Sequence, residues 1–160
     1  MKKLLLVASI ILLGASLLHA DPPREVVTLM ATIQKACQAR DLTLIKSCYY
    51  TEGVSALAID QSLDTWQEYW NQAGDTHWAF DNVEFKSLDE LLANKSMNQR
   101  ALLLMTQPHK MGEHTYEPNL KVIGFVTANF KSDHGSIGTM APVGLAPDGT
   151  AKIALLRMLP

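Results

Sequence analysis

The chain has 160 residues with 14 basic and 16 acidic side chains, and its net charge is −2 with histidine neutral. This length suits one domain, and a mildly acidic chain without a basic cluster weighs against binding to nucleic acid or to an anionic membrane surface. The sequence contains no glycine-rich phosphate loop, no dinucleotide fingerprint and no Gly-x-Ser-x-Gly nucleophile motif.

The first twenty residues have the pattern of a secretory signal peptide. Lys2 and Lys3 precede an apolar, uncharged run over residues 4–18, and Ala20 stands just before an Asp-Pro-Pro segment. The run, about 15 residues, is shorter than the ~20 that cross a bilayer as a helix; a retained N-terminal anchor is the alternative interpretation. The pattern predicts cleavage after Ala20, which leaves a periplasmic or secreted domain of residues 21–160. The net charge of this domain is −4.

Two cysteines, Cys37 and Cys48, remain after that cleavage. In an oxidising compartment an even pair favours a disulfide, which would close a loop of about 12 residues and stabilise the fold by roughly 2–3 kcal/mol. Two buried free thiols are the alternative, because cysteine packs as a small apolar residue. The sequence has no Cys-x-x-Cys pattern, so no catalytic thiol is expected.

Helical spacing of apolar residues predicts three helices in the first half of the mature chain. The first covers residues 23–40, because proline suits the first helical turn. Asp41 is expected to cap a short second helix. Residues 54–59 predict a short strand or an irregular edge, and a third helix is expected over residues 63–73.

The sequence pattern of the second half of the chain predicts mainly strands. A polar connection is expected over residues 108–119, a single helical turn over residues 89–94, and a hairpin turn at Pro147-Asp148-Gly149. Apolar runs and alternation predict strands over residues 80–88, 100–107, 120–131, 136–146 and 150–159. This order indicates an α+β fold, with the three N-terminal helices packed on the concave face of a curved, mostly antiparallel sheet of four to five strands.

The segment at residues 36–45, Ala-Cys-Gln-Ala-Arg-Asp-Leu-Thr-Leu-Ile, resembles the junction of the first two helices in the NTF2-like (nuclear transport factor 2-like, cystatin-like α+β cone) superfamily. The terminal strands joined by the hairpin at residues 147–149 fit the same superfamily, and the resemblance covers nearly all of the mature chain. It implies a cone-shaped pocket between the helices and the sheet. Members use this pocket for isomerases, dehydratases, cyclases and ligand binding, so the fold alone does not choose a function.

Aromatic residues cluster on the third helix and near it, and we expect them to line such a pocket. The alternative is that they form core, as aromatic residues at helical spacing usually do. The candidate ligand-binding residues are Tyr50, Trp66, Tyr69, Trp70 and Trp78.

No acid–base pair can be placed at strand positions facing the pocket, so a catalytic site is not predicted. Asp60, Asp64 and Glu68 lie near the aromatic residues, but helix capping, the helix dipole and solvation explain them without catalysis. His109 and His114 are five residues apart, which does not place them on one helix face, and a solvated loop is expected instead of a metal site. No cofactor is expected.

Ile123 and Phe125 alternate with polar residues in the predicted strand 120–131. If helices cover the opposite face, these two side chains are exposed and form an apolar patch with a polar rim. NTF2-like domains frequently pair through the outer sheet face, so the resemblance implies a homodimer.

The leading hypothesis from the sequence is an exported, non-catalytic domain that binds a small apolar molecule or a protein partner. One alternative is a small isomerase, dehydratase or hydrolase that uses one buried carboxylate or histidine. A second is a structural or assembly protein whose cone is filled by side chains.

Overall fold

The structure, a computed structural model, describes residues 21–75, 79–94, 97–132 and 135–159, with only the backbone described at residues 72–75 and 132. The predicted signal peptide and the candidate Trp78 lie outside these residues. Within them the fold is α+β, with five helices and two antiparallel sheets. None of the described helices combines the length and the apolar character that a membrane span requires.

The helices are α1 (Arg24–Ala39), α2 (Leu42–Ser47), α3 (Ala56–Asp75), α4 (Leu88–Ala93) and α5 (Gln99–Thr106). The strands are β1 (Ala79–Ser87), β2 (His109–Met111), β3 (His114–Pro118), β4 (Val122–Ser132), β5 (Gly135–Leu145), β6 (Ala151–Ile153) and β7 (Leu156–Met158). A large sheet has the strand order β1-β4-β5-β6, and a small sheet has the order β2-β3-β7. Every pairing between neighbouring strands is antiparallel.

The junction of α1 and α2 forms as the sequence predicts. Arg40 ends α1 in the left-handed conformation with φ 51°, and the Asp41 carboxylate accepts a hydrogen bond from the Leu44 amide at 2.9 Å. The buried residues of α1 recur every three or four positions, namely Val26, Leu29, Ile33, Ala36 and Cys37. This spacing places them on one helix face. The hairpin between β5 and β6 is also confirmed, with Gly149 at φ 82° in its turn.

The first hydrophobic core joins α1, α2 and α3 to one face of the large sheet, here called the inner face. Its sheet residues include Val126, Ala128, Phe130, Ala141 and Val143. Trp66 and Trp70 of α3 fill this core at 3% and 1% exposure, with their ring centroids 6.5 Å apart.

The second hydrophobic core lies on the opposite, outer face of the large sheet. Leu91 of α4 and Leu102 of α5 pack there against Val122 and Phe125 of β4. The expectation that Ile123 and Phe125 are exposed together is therefore wrong: Phe125 is 1% exposed, and Ile123 packs against the first core. A β-bulge between Val122 and Gly124 inserts one residue and reverses the alternation of faces. A homodimer stays a prediction, but this patch does not support it.

The predicted strand over residues 100–107 is wrong, because this segment forms α5. Asn98 caps the helix by accepting a hydrogen bond from the Ala101 amide at 3.1 Å. Of its three consecutive leucines, Leu102 is buried while Leu103 and Leu104 are 42% and 40% exposed. Because only one side of this segment is buried, its burial fits an amphipathic helix better than a strand that is covered on both faces.

Two other boundaries differ from the sequence prediction. The third helix begins at Ala56 instead of residue 63, so residues 54–59 form no strand. The expected polar connection over residues 108–119 contains the hairpin of β2 and β3, in which Gly112 adopts φ 64° between the paired residues Met111 and His114. The described residues form seven strands in two sheets, where the sequence predicts four or five strands in one sheet.

Asn119 joins the two sheets where the chain crosses between them. Its side-chain Nδ2 donates to the Tyr50 carbonyl at 2.6 Å, and its Oδ1 accepts from the Leu155 amide at 2.8 Å. The Asn119 amide donates in turn to the Leu155 carbonyl at 2.8 Å. As a result the predicted strand 150–159 divides at Leu155, with β6 in the large sheet and β7 in the small one.

The predicted disulfide is not formed: Cys37 and Cys48 are free thiols buried in the first core. Cys48 Sγ donates to the Leu44 carbonyl at 3.4 Å, an interaction that requires the S–H group. Burial raises the pKa of Cys37 to about 12, opposed by the nearby Trp70 side chain and reinforced by Cys48. Burial likewise raises the pKa of Cys48, although Lys152 and Ser47 lower it.

Replacing Asn119 with alanine should lower the free energy of unfolding by about 2–3 kcal/mol, because it leaves partly buried backbone groups of Tyr50 and Leu155 without partners. Urea denaturation measures the change. The matched control is Asn71→Ala, which removes an exposed side-chain contact with Gln67 and should cost less than about 0.5 kcal/mol. Equal effects of the two substitutions would contradict the role of Asn119.

Because the pKa of Cys37 is raised, the stability of the fold should depend on pH in the alkaline range. The pKa of this thiol is 9.0 in the unfolded chain and about 12 in the folded chain. As the pH rises, the thiol therefore ionises in the unfolded chain before it ionises in the folded one. The free energy of unfolding falls as the pH rises through this interval. Urea midpoints measured from pH 8 to 11 should fall less steeply for Cys37→Ala than for the wild-type chain. Parallel slopes would contradict the prediction.

Candidate functional site

An open cleft of about 510 Å³ lies at the boundary between the two sheets. We call it the β5 cleft, because one edge of β5 forms its floor. Helix α3 forms one wall, and the small sheet with Met105 of α5 forms the other. Its lining residues are Tyr49, Ala58, Gln61, Ser62, Thr65, Trp66, Met105, Met111, Tyr116, Pro118, Thr139, Met140, Ala141, Pro142, Ile153, Ala154, Leu155 and Leu156.

The α3 wall is one face of a regular helix. Its five lining residues, Ala58, Gln61, Ser62, Thr65 and Trp66, have the three- and four-residue spacing that places side chains together. The Ser62 hydroxyl donates to the Ala58 carbonyl at 2.9 Å, and the Thr65 hydroxyl donates to the Gln61 carbonyl at 3.2 Å. Both hydroxyl protons are therefore used within the helix, and the wall offers mainly short side chains.

The opposite wall is one face of the small sheet. Cross-strand partners share a face of an antiparallel pair, and the register pairs Pro118 with Leu156 and Tyr116 with Met158. The His109 and Tyr116 rings stack with centroids 6.2 Å apart. This face continues outward from the cleft to Met158, which is 55% exposed.

The floor is the edge of β5, not a face of the sheet. Thr139, Met140, Ala141 and Pro142 all line the cleft, although consecutive side chains in a strand point to opposite faces. Four consecutive residues can border one space only where that space runs along the strand's edge. Strand β6 pairs with β5 only at residues 143–145, so the floor begins where that pairing ends.

The lining of the β5 cleft carries no charged residue. Three methionines contribute to it, Met105, Met111 and Met140, and their flexible thioethers adapt to ligands of different shape. The polar side chains of the lining carry hydroxyl, amide or indole groups. The cleft therefore suits an uncharged, largely apolar ligand.

Tyr49 provides a buried polar group in the lining. Its side chain is 5% exposed, and its hydroxyl has no hydrogen-bond partner among the described residues. Burial raises the pKa of this hydroxyl above its ordinary value, while the nearby Trp66 side chain lowers it and Cys48 raises it. The indole of Trp66 does not reach hydrogen-bond geometry, so the hydroxyl stays neutral and unsatisfied.

The structure separates the aromatic residues that the sequence grouped as ligand-binding. Trp66 lines the β5 cleft. Trp70 lies in the first core, and neither Tyr50 nor Tyr69 belongs to the lining. The Tyr50 hydroxyl instead donates to the Glu52 carboxylate outside the cleft. Trp66 and Trp70 fill part of the space beneath the helices, where the sequence predicts the pocket.

The acidic residues and histidines considered for catalysis do not line the β5 cleft. Asp60, Asp64 and Glu68 are exposed on α3, and His109 and His114 lie in the β2–β3 hairpin. Among the described residues, no three histidine, cysteine or acidic side chains are grouped so that they could hold a metal ion.

Several lining residues were missed because their segments were assigned to other elements. Met105 lay in the predicted strand 100–107, and Met111 and Tyr116 lay in the predicted polar connection. The alternation of apolar and polar residues on either side of Gly112 is a hairpin signal that could have found the last two. Leu156 was expected beside β5, and only the crossing at Leu155 brings it to the opposite wall.

A second cleft, of about 460 Å³, is polar and lies between α1 and the β5–β6 hairpin. Two of its charged groups, Lys152 and Asp148, already have internal partners. Lys152 Nζ donates to the Ser47 carbonyl at 2.8 Å, and the Asp148 carboxylate accepts from the Thr150 amide and hydroxyl. These bonds lower the pKa of Asp148. This second cleft is therefore a weaker candidate than the β5 cleft.

No protein-family model matches the chain, and no curated protein sequence matches it. The resemblance to NTF2-like domains therefore stays a prediction.

Replacing Tyr49 with phenylalanine should raise the free energy of unfolding by about 1 kcal/mol, because it removes a buried hydroxyl that has no partner. Chemical denaturation measures the change. The control Tyr50→Phe removes a hydroxyl that does have a partner and should not stabilise the protein. A loss of stability in Tyr49→Phe would show that the hydroxyl is bonded in solution.

Proposed function

We propose that residues 21–160 form an exported, non-catalytic binding domain, and that the β5 cleft takes up an uncharged, largely apolar ligand. The observation that carries this proposal is the combination of open volume and uncharged lining. A cleft of about 510 Å³ falls within the ~300–1,000 Å³ typical of ligand pockets, which are mostly apolar with a few polar groups. Export rests on the signal-peptide pattern of residues 1–20.

Binding explains the cleft better than catalysis does. General acid–base chemistry usually needs a histidine, a carboxylate or another titrating group within reach of the substrate. The lining has no acidic, basic or histidine side chain, and Ser62 and Thr65 donate their hydroxyl protons to carbonyls of their own helix. The neutral Tyr49 hydroxyl has no neighbouring base among the lining residues.

An NTF2-like architecture is part of the proposal. Three N-terminal helices share one core with the inner face of the large sheet, which supports helices packed on the concave side of a curved sheet. The ligand site that we propose differs from the one implied by the family. It lies beside the β5 edge, because Trp66 and Trp70 occupy the space beneath the helices.

The filled core favours a second candidate, a structural or assembly role without a ligand. Trp70 is 1% exposed, and the first core extends without interruption from α1 to β4. The two candidates differ in what the β5 cleft does in solution. Only the binding function requires it to admit a molecule.

Nile red, an uncharged apolar dye, tests the proposed function on purified residues 21–160. We expect saturable binding with a blue-shifted emission, because the dye moves from water into an apolar cleft. Ala58→Trp narrows the cleft from its α3 wall and should weaken binding at least tenfold. Native mass spectrometry of the chain purified from its own host would then show the mass of any retained ligand.

The matched control is Ala31→Trp, which places the same side chain at an exposed position of α1 outside the β5 cleft. It should bind the dye like the wild-type chain. Equal binding by Ala58→Trp and Ala31→Trp, or no binding by the wild-type chain, would refute the proposed function and favour the structural role.

A further inference from the structure

The floor of the β5 cleft contains backbone groups to which a purely apolar ligand would form no hydrogen bonds. The Ala154 amide donates to the Pro142 carbonyl at 2.8 Å, so this carbonyl faces the edge where β6 lies. Peptide groups of alternate residues in a strand point to the same edge. The N–H and C=O groups of Met140 and Gly138 therefore face that edge as well.

In the described part of the chain, this edge has no strand beside it along much of β5. Strand β6 pairs with β5 only at residues 143–145, and Ala154 adds one further bond before the chain crosses to the small sheet. Among the described residues, no other strand pairs with that side of β5. Unpaired strand edges are templates for the addition of another strand.

We propose that the β5 cleft binds an extended, uncharged peptide segment of a partner protein, which adds as a strand beside residues 138–142. The inference rests on the proposed function, because it uses the same cleft. Hydrogen bonds to Met140 and Gly138 would supply the main-chain recognition that is typical of strand addition.

The walls of the cleft fit the side chains of an added strand. Successive side chains of such a strand point alternately to the two faces of the sheet. Those on the inner side would meet the short side chains of α3 and Trp66, and those on the outer side would meet Met105. All of these contacts are uncharged, so alternating small or apolar residues are the expected sequence.

The walls also favour a peptide segment over a second copy of this chain. The β5 edge lies between α3 and the small sheet. A second copy would bring its own β5 edge between its own two walls, and the walls of both copies would meet before the edges reached the ~4.8 Å that paired strands require. A single extended segment has no such walls.

The test uses a fluorescently labelled, capped hexapeptide of alternating threonine and valine. Fluorescence anisotropy should show saturable binding to residues 21–160. The same peptide with its four central amides N-methylated keeps its side chains but loses those hydrogen-bond donors, and it should bind at least tenfold more weakly. Equal affinities for the two peptides would overturn the strand-addition proposal.

A pair of variants tests the same bonds from the protein side. Met140→Pro removes the amide proton facing the cleft, and proline is tolerated at strand edges whose N–H is unpaired. It should weaken peptide binding at least tenfold, whereas Met140→Leu should change it less than threefold. Equal peptide affinity for the two variants would contradict the proposal.

Hydrogen exchange remains decisive if Met140→Pro does not fold. On peptide binding to the wild-type chain, the amides of Met140 and Gly138 should exchange at least tenfold more slowly, while Nile red should not protect them. Peptide binding without this protection would overturn strand addition. Nile red binding without peptide binding would also overturn it and leave the proposed function standing, whereas binding of neither probe would refute both.

Discussion

The hydrogen bonds of Asn119 with Leu155 fix the point at which the chain leaves one sheet for the other. Two hydrogen bonds join them: the Asn119 amide donates to the Leu155 carbonyl, and the Leu155 amide donates to Asn119 Oδ1. The same side chain donates to the Tyr50 carbonyl and so ties the start of the α2–α3 connection to this crossing. Because β6 stops here, β5 keeps an uncovered edge and the small sheet stands opposite α3. The β5 cleft is a consequence of this crossing.

The features that depend on neighbouring residues were predictable from the sequence. Asp41 caps α2 because a carboxylate two or three residues before a free amide satisfies it locally. The buried face of α1 follows from helical spacing alone. The turn at Gly149 follows from a residue that tolerates positive φ. In each case the physical cause lies within a few positions of the chain, so a single sequence contains it.

The features that depend on distant partners were not predictable in the same way. An apolar run such as the one around Leu102 suits a buried strand and a half-buried helix equally, until the covering surface is known. The faces of Ile123 and Phe125 depend on a bulge in the pairing of β4 with β5. The site depends on where β6 stops at Ile153. None of these leaves a local signal strong enough to choose between alternatives.

Helix α3 contributes to the core and to the cleft through different positions. Trp66 and Trp70 hold the helix against the sheet, whereas Ala58 and Ser62 border open space and are only half-buried. Changes of side-chain size at the second pair can therefore alter the width of the cleft with little disturbance of the packing that keeps the helix in place. Substitutions at these two positions can therefore change the shape of the cleft while the scaffold is retained.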